Sequence, residues 1–262
     1  MAPSLSILEL DGVSMDFGGL RAVSGCSFRV EVGQIYSLIG PNGAGKSTVF
    51  NIACGIYRPT EGEVRFQGKR IDGLRASRIA KRGMGRSFQN LELFRGLTAV
   101  ENVMVGGHRH LEYGFLSAFF SGPALGAGER KGREEARRHL DFLGIGAAAE
   151  SRVEDLAYGV QKKVEIARAL ASRPTLLLLD EPAAGLNEAE TVELMGTVRR
   201  IRDEMGITVL LVEHNMQLVM GISDRICALS FGVVLGEGTP EEIRSHPDVI
   251  QAYLGDGGEA IC

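Results

Sequence analysis

Apolar residues fall along this chain in two rhythms, short unbroken runs and helical stripes. In the first third the runs are Ile7 to Leu10, Ser27 to Val30, Gln34 to Ile39 and Gly62 to Phe66, the last closed by Gln67-Gly68. Short apolar runs bounded by turn residues predict β-strands. A helix is expected to follow Lys46 and to end near Gly55, a residue suited to the left-handed turn that closes helices. From about Leu93 to Asp155 the pattern is helical, most clearly where Ala136, Leu140 and Leu143 recur at i, i+4 and i+7 among charges. Beyond it, Val160, Val164, Ala167 and Ala171 form a stripe, and the apolar run Thr175 to Leu179 follows. Asn187 with Glu190 three residues on opens another helix, whose stripe of Leu194, Val198, Ile201 and Met205 lasts to Gly206. Ile207 to Val212 is a further apolar run. Short apolar strands alternating with helices indicate an α/β fold around a buried, mostly parallel sheet. There is no internal repeat and no low-complexity tract.

Composition excludes several function classes. A chain of 262 residues has room for one large domain or two small ones, and 44% apolar with 24% charged residues is a globular balance. The net charge of −4 gives no overall attraction for nucleic acid. Lys69 to Arg86 is locally basic, seven Lys/Arg against Asp72, and reads as a solvated face. The four cysteines, Cys26, Cys54, Cys227 and Cys262, form no CxxC pair, which argues against a zinc site or a disulfide framework and suits a reducing cytosol. Cys54 and Cys227 lie in apolar stretches, as small core residues do. The longest charge-free stretch, Tyr113 to Gly128, is broken by Gly114, Gly122 and Pro123 and falls short of the ~20 apolar residues a membrane span needs. The N-terminus lacks a charged-then-apolar leader pattern. Work at a membrane is therefore expected to be by docking.

Two motifs carry chemistry. Gly40-Pro41-Asn42-Gly43-Ala44-Gly45-Lys46-Ser47 fits GxxxxGK[ST] between an apolar strand and a helix, the setting of a P-loop. Its glycines let backbone N–H groups turn toward phosphate oxygens, and the helix start adds a positive dipole. Asn42, Gly43, Ala44, Gly45, Lys46, Ser47 and Thr48 are the expected nucleotide contacts; Lys46 reaches the β- and γ-phosphates and Ser47 ligates Mg²⁺. The run Thr175 to Leu179 ends in Asp180-Glu181-Pro182, which delivers two carboxylates at the carboxyl edge of the sheet, where α/β proteins bind ligands. Asp180 is the expected Mg²⁺ partner, and Glu181 is placed to take a proton from the attacking water.

These elements leave many P-loop proteins open. The stretch Leu156-Ala157-Tyr158-Gly159-Val160-Gln161-Lys162-Lys163, running on through Val164-Glu165-Ile166-Ala167-Arg168-Ala169-Leu170, resembles the signature motif of ATP-binding-cassette (ABC) ATPases and its helix. In that family the signature caps the γ-phosphate of ATP held by the other subunit of a dimer, so Gly159 is implied as an ATP contact. Phe17 resembles the aromatic residue that stacks on adenine. Gln89, in Gly85-Arg86-Ser87-Phe88-Gln89-Asn90, resembles the glutamine that contacts Mg²⁺ and the attacking water. Ala184-Gly185-Leu186-Asn187 occupies the place of the loop that crosses the dimer interface, and His214 that of the histidine at the γ-phosphate. The resemblance implies one ABC ATPase domain over residues 1–262, with an antiparallel β subdomain and an inserted α-helical subdomain at about 93–155. It implies ATP and Mg²⁺ as ligands, a second ATPase subunit, membrane permease subunits as partners, and a place at the cytoplasmic face of the inner membrane.

Arg86 through Phe94, the long segment to Leu156, and the ending from Glu213-His214-Asn215-Met216 through Ala252-Tyr253-Leu254-Gly255 resemble one branch, the longer ATPase of branched-chain amino acid importers. Related systems of that branch import urea or amides. Three positions depart from the family pattern: Ala157 replaces the usual signature serine, Val160 the usual glutamine, and Asn187 an aspartate. Phe115, Leu116, Phe119 and Phe120 offer an apolar face for a membrane partner or for packing inside the helical subdomain. A soluble ABC ATPase uncoupled from transport is the alternative; such proteins usually carry a second cassette, a long coiled coil or a zinc insertion, none of which is present. A plain P-loop kinase would leave the signature stretch and His214 without a role.

Overall fold

A five-residue strand with no polar face can bury every side chain only inside a covered sheet. In the computed structural model, which describes residues 5–87, 91–108 and 123–255, the apolar runs lie in that position. The chain forms two units, residues 1–84 with 175–262 and residues 85–174.

The first unit begins with β1 (Ser6–Phe17), β2 (Leu20–Glu31), β3 (Ile35–Ile39), α1 (Lys46–Ala53), β4 (Glu61–Phe66), β5 (Lys69–Arg70) and α2 (Ala76–Ala80), and the chain leaves it within β6 (Met84–Arg86). The second unit holds α3 (Ala99–Gly107), α4 (Pro123–Phe142) and α5 (Tyr158–Ala171). The chain then returns through β7 (Leu176–Asp180), α6 (Glu188–Met205), β8 (Thr208–Val212), α7 (Met216–Ile222), β9 (Arg225–Ser230), β10 (Val233–Gly238), α8 (Pro240–Arg244) and α9 (Pro247–Gly255).

Six strands build the main sheet in the order β10-β9-β3-β8-β7-β6. β3 pairs in parallel with β8 and β9, β7 pairs in parallel with β8, and β10 runs antiparallel to β9. Every residue of β3, β7 and β8 is buried, as expected for a sheet covered on both faces. A second, antiparallel sheet has the order β2-β1-β4-β5, and its apolar face shares one core with the first, from Leu8, Phe28 and Phe66 to Leu38, Leu178 and Leu210. The short runs anticipated at 7–10 and 27–30 are segments of two twelve-residue strands that turn at Gly18-Gly19. Their hydrophobic alternation is hidden because the register shifts between Leu10 and Val13, where Gly12 sits at φ 59°.

In the second unit α3, α4 and α5 pack on one another through Val100, Val103, Ala136, Leu140, Val164 and Ala167, all buried. Thr98 and Glu101 close a capping box at the start of α3, and Pro123 opens α4, where a missing N–H costs nothing. The backbones of α3 and α5 approach so closely that a Cβ on Gly106 would collide with the Arg168 carbonyl. Arg133 and Arg137 both bind Glu150, and Arg173 binds Glu135.

Candidate functional site

Between β3 and α1 the chain makes a glycine-dependent loop. A Cβ on Gly40 would strike the Leu229 carbonyl of β9, and Gly43 and Gly45 sit at φ 79° and 96°. The Ala44 N–H donates to the Pro41 carbonyl (3.1 Å), and the Gly232 N–H, from the β9–β10 turn, donates to the Ala44 carbonyl (3.0 Å). Gly45 is the N-cap of α1, with no side chain to cap it and no acid in the first turn, so the leading N–H groups remain open to an anion. Lys46 is buried, and its Nζ donates to the carbonyls of Gly40 (2.6 Å) and Pro41 (2.9 Å). Burial holds its pKa below the usual lysine value, and the Glu181 carboxylate opposes that shift. Asn42, Gly43 and Ser47 are exposed at the loop surface, with Thr48 half-buried beside them.

The parallel register sets Asp180 beside Val212 and Val212 beside Leu38, so β7, β8 and β3 end level with one another. Asp180 is buried at the end of β7. Glu181 turns away from the sheet at φ 46°, a conformation uncommon for a side chain of its kind, while its N–H donates to the Val212 carbonyl (2.9 Å). His214 Nδ1 lies 4.0 Å from Glu181 Oε1, and the imidazole is 60% exposed, within reach of an incoming ligand. The structure therefore brings Lys46, Asp180, Glu181 and His214 to one edge of one sheet. At the far end of β1, Phe17 is 40% exposed and meets Tyr57 edge-to-face at 5.3 Å. Tyr57, which follows α1 by way of Gly55 and Ile56, carries no sequence signal of its own and escaped the sequence reading.

Past Glu181 the backbone makes two linked turns, Ala184 N–H to the Glu181 carbonyl and Leu186 N–H to the Ala183 carbonyl, both 3.1 Å. Asn187 then caps α6: its Oδ1 accepts the Glu190 N–H (3.0 Å) and Glu190 Oε2 accepts the Asn187 N–H (2.9 Å). The asparagine side chain is thus committed to its own helix, a task it performs as well as aspartate.

A second residue missed from the sequence is Glu213. It is fully buried, Oε1 accepts the Ala183 N–H (2.7 Å), and Oε2 accepts the N–H groups of His214 (3.0 Å) and Asn215 (3.2 Å). Burial pushes its carboxyl pKa up, against the three N–H donors that lower it.

In the second unit, α5 starts at Tyr158 with Ala157 as its N-cap and no side-chain cap. The Val160 and Gln161 N–H groups return to the Ala157 carbonyl, and Gln161 Nε2 donates to the Leu156 carbonyl (2.8 Å). Tyr158 stands exposed at the start of the helix, with Gly159 half-buried beside it. Gln89 lies outside the described residues, as do Phe115, Leu116, Phe119 and Phe120.

A phosphate-cradling loop, a carboxylate pair and an exposed histidine on one sheet edge still describe several NTPase families. The family profile described as ABC transporter matches residues 23–184. The chain belongs to the ABC transporter family. It is an ABC-type ATPase, and its α/β fold is that of the ABC cassettes. A second profile, described as branched-chain amino acid ATP-binding cassette transporter, matches residues 233–259 of this cassette. The cassette is 49% identical to the high-affinity branched-chain amino acid transport ATP-binding protein BraF of Pseudomonas aeruginosa, over 97% of this chain and 99% of that one. It is 45% identical, over the same shares, to LivG of Salmonella typhimurium, which bears the same description. Among solved structures, a nucleotide-free ATP-binding cassette from an ABC transporter matches with a TM-score of 0.83 at 30% identity, covering 95% of this chain and 98% of that one. A dimeric post-hydrolysis cassette bound to ADP and Pi matches with a TM-score of 0.75 at 28% identity, covering 89% and 98%. The three anticipated features of fold class, family and ATPase activity hold.

Proposed function

We propose that this ATPase drives import of branched-chain or related amino acids, bound peripherally to permease subunits at the cytoplasmic face of the inner membrane. The observation that carries the reading is the 49% identity to a branched-chain amino acid transport ATP-binding protein over 97% of the chain. The separate match of residues 233–259 to the profile of that branch supports it. Among the described residues no helix is long and apolar enough to cross a membrane, so coupling to transport runs through partners.

Residues 1–262 act as one cassette, with a helical subdomain at about 93–155. Phe17 stacks on adenine, and the N–H groups of the loop from Asn42 to Thr48 surround the phosphates. The Lys46 ammonium exchanges the Gly40 and Pro41 carbonyls for the β- and γ-phosphates, where its charge is neutralised. For Mg²⁺ the donor set fits: the Asp180 carboxylate and the Ser47 hydroxyl are hard oxygen ligands, few in number as suits an ion that keeps phosphate and water in its shell. Bound there with Gln89, it would supply charge neutralisation at the phosphates. Glu181 accepts the proton of the water whose oxygen attacks the γ-phosphorus as the bond to the β-phosphate oxygen breaks. His214 steadies the γ-phosphate. A second ATPase subunit, identical or different, contributes its signature to this site, while Gly159 of this chain caps the site of that subunit. Closure on ATP and opening after hydrolysis turn the permease between its two access states.

Purification from native membranes with identification of the co-purifying proteins tests this. Integral membrane subunits and a second ATPase are expected; a chain recovered alone from the soluble fraction would refute the coupling.

A further inference from the structure

The strands β3, β8 and β7 end level, and the residue after β8 is a buried acid. The His214 imidazole lies beside Glu213, Nδ1 at 4.0 Å from Oε2, and the hydrogen bonds its oxygens accept come from backbone N–H groups of two different loops. One oxygen holds Ala183, inside the turn that begins at Glu181. The other holds His214 and Asn215, and Asn215 in turn caps α7 through the Leu218 N–H (3.0 Å). The Glu213 N–H points back at the Leu38 carbonyl of β3 (3.4 Å), next to the phosphate loop. Removing a carboxylate from water costs several kcal/mol, and a fold that needed only packing here would place a Leu or Met. The burial is instead spent on two segments, each carrying one reactive side chain.

We propose that Glu213 is a positioning residue for ATP hydrolysis: its carboxylate ties the Glu181 turn to the His214 loop and so sets the spacing between the base and the histidine. This rests on the roles given above to Glu181 and His214. Glu181 needs such a hold because its backbone sits at φ 46°, a conformation that surrounding structure must maintain. Without the tie, the turn at Glu181 and the loop at His214 would relax independently, while the phosphate loop, which Glu213 side-chain oxygens do not touch, would keep its shape.

Glu213→Gln preserves size but sets an amide N–H against at least one backbone N–H. In the full-length chain kcat for ATP is expected to fall about tenfold or more, the scale of a lost hydrogen bond to a charged group, with ATP affinity unchanged and melting temperature only modestly lowered. Wild-type turnover, or a loss of turnover matched by loss of ATP affinity and a large drop in melting temperature, would overturn the proposal. Glu213→Gln added to His214→Ala is expected to cost less than it costs alone, because part of its effect runs through His214. Losses that multiply in full would also overturn it. Glu181→Gln, measured separately, reports on the base: normal turnover there would refute the role of Glu181 while the kcat and affinity split of Glu213→Gln still judged the tie.

Discussion

Lys46 is proposed to serve two states with one side chain. Its ammonium is buried and rests on two loop carbonyls, with the Glu181 carboxylate as an opposing charge. A phosphate offers a stronger partner than a carbonyl, so exchange is favoured when ATP arrives. Lys46→Ala is expected to weaken ATP binding roughly tenfold to a hundredfold, the scale of one charged hydrogen bond, as read by nucleotide titration. Unchanged affinity would remove Lys46 from the phosphate site. The residues at this edge were unequally visible in the sequence. Lys46, Asp180 and Glu181 stand in motifs whose spacing is local, so reading along the chain finds them. Glu213 and Tyr57 each depend on a partner distant in sequence, Ala183 and Phe17, so their local spacing does not reveal those contacts, even though Glu213 adjoins His214.

Among the elements, the helix starts carry the clearest expectations. Asn187, Thr98 and Thr239 each close a capping box, yet α5 starts at Ala157 with no side-chain cap. Ala157→Ser supplies an acceptor for an open N–H of the first turn and is expected to stabilise the chain by about 1 kcal/mol, read from denaturant unfolding. If Gly159 contacts the partner's ATP, the same change also raises closure and turnover in the assembled complex; no change in either would mean that backbone contacts suffice. The α3–α5 contact gives a paired test. Gly106→Ala forces a Cβ into the Arg168 carbonyl and is expected to destabilise by about 1–3 kcal/mol, although alanine is the better helix former. At the neighbouring Gly107 the nearest atom would be 3.5 Å away, so Gly107→Ala is expected to be neutral or stabilising. Equal effects at the two sites would contradict the close approach. Short buried strands such as β3 and β8 were legible because their composition leaves them no solvent-facing side. The full lengths of β1 and β2 were not, since shifts in register break the period that sequence reading depends on.

For the molecule as a whole, the architecture separates two tasks. Residues 1–84 with 175–262 hold the phosphate loop, Asp180, Glu181 and His214, while residues 85–174 hold the exposed start of α5. The first set carries the loop and the carboxylates proposed to hold the nucleotide, whereas Gly159 is proposed to act on the ATP of a second cassette. Hydrolysis at Glu181 is proposed to power amino-acid import, which uptake of radiolabelled leucine into ATP-loaded proteoliposomes measures most directly. The complex containing wild-type chain is expected to accumulate leucine. The same complex with Glu181→Gln is expected to bind ATP with unchanged affinity while turnover and uptake fall together by roughly 10²–10⁴-fold, the scale of a lost general base. Uptake that persists at the wild-type rate with Glu181→Gln, or ATP turnover that proceeds with no leucine accumulating, would contradict it.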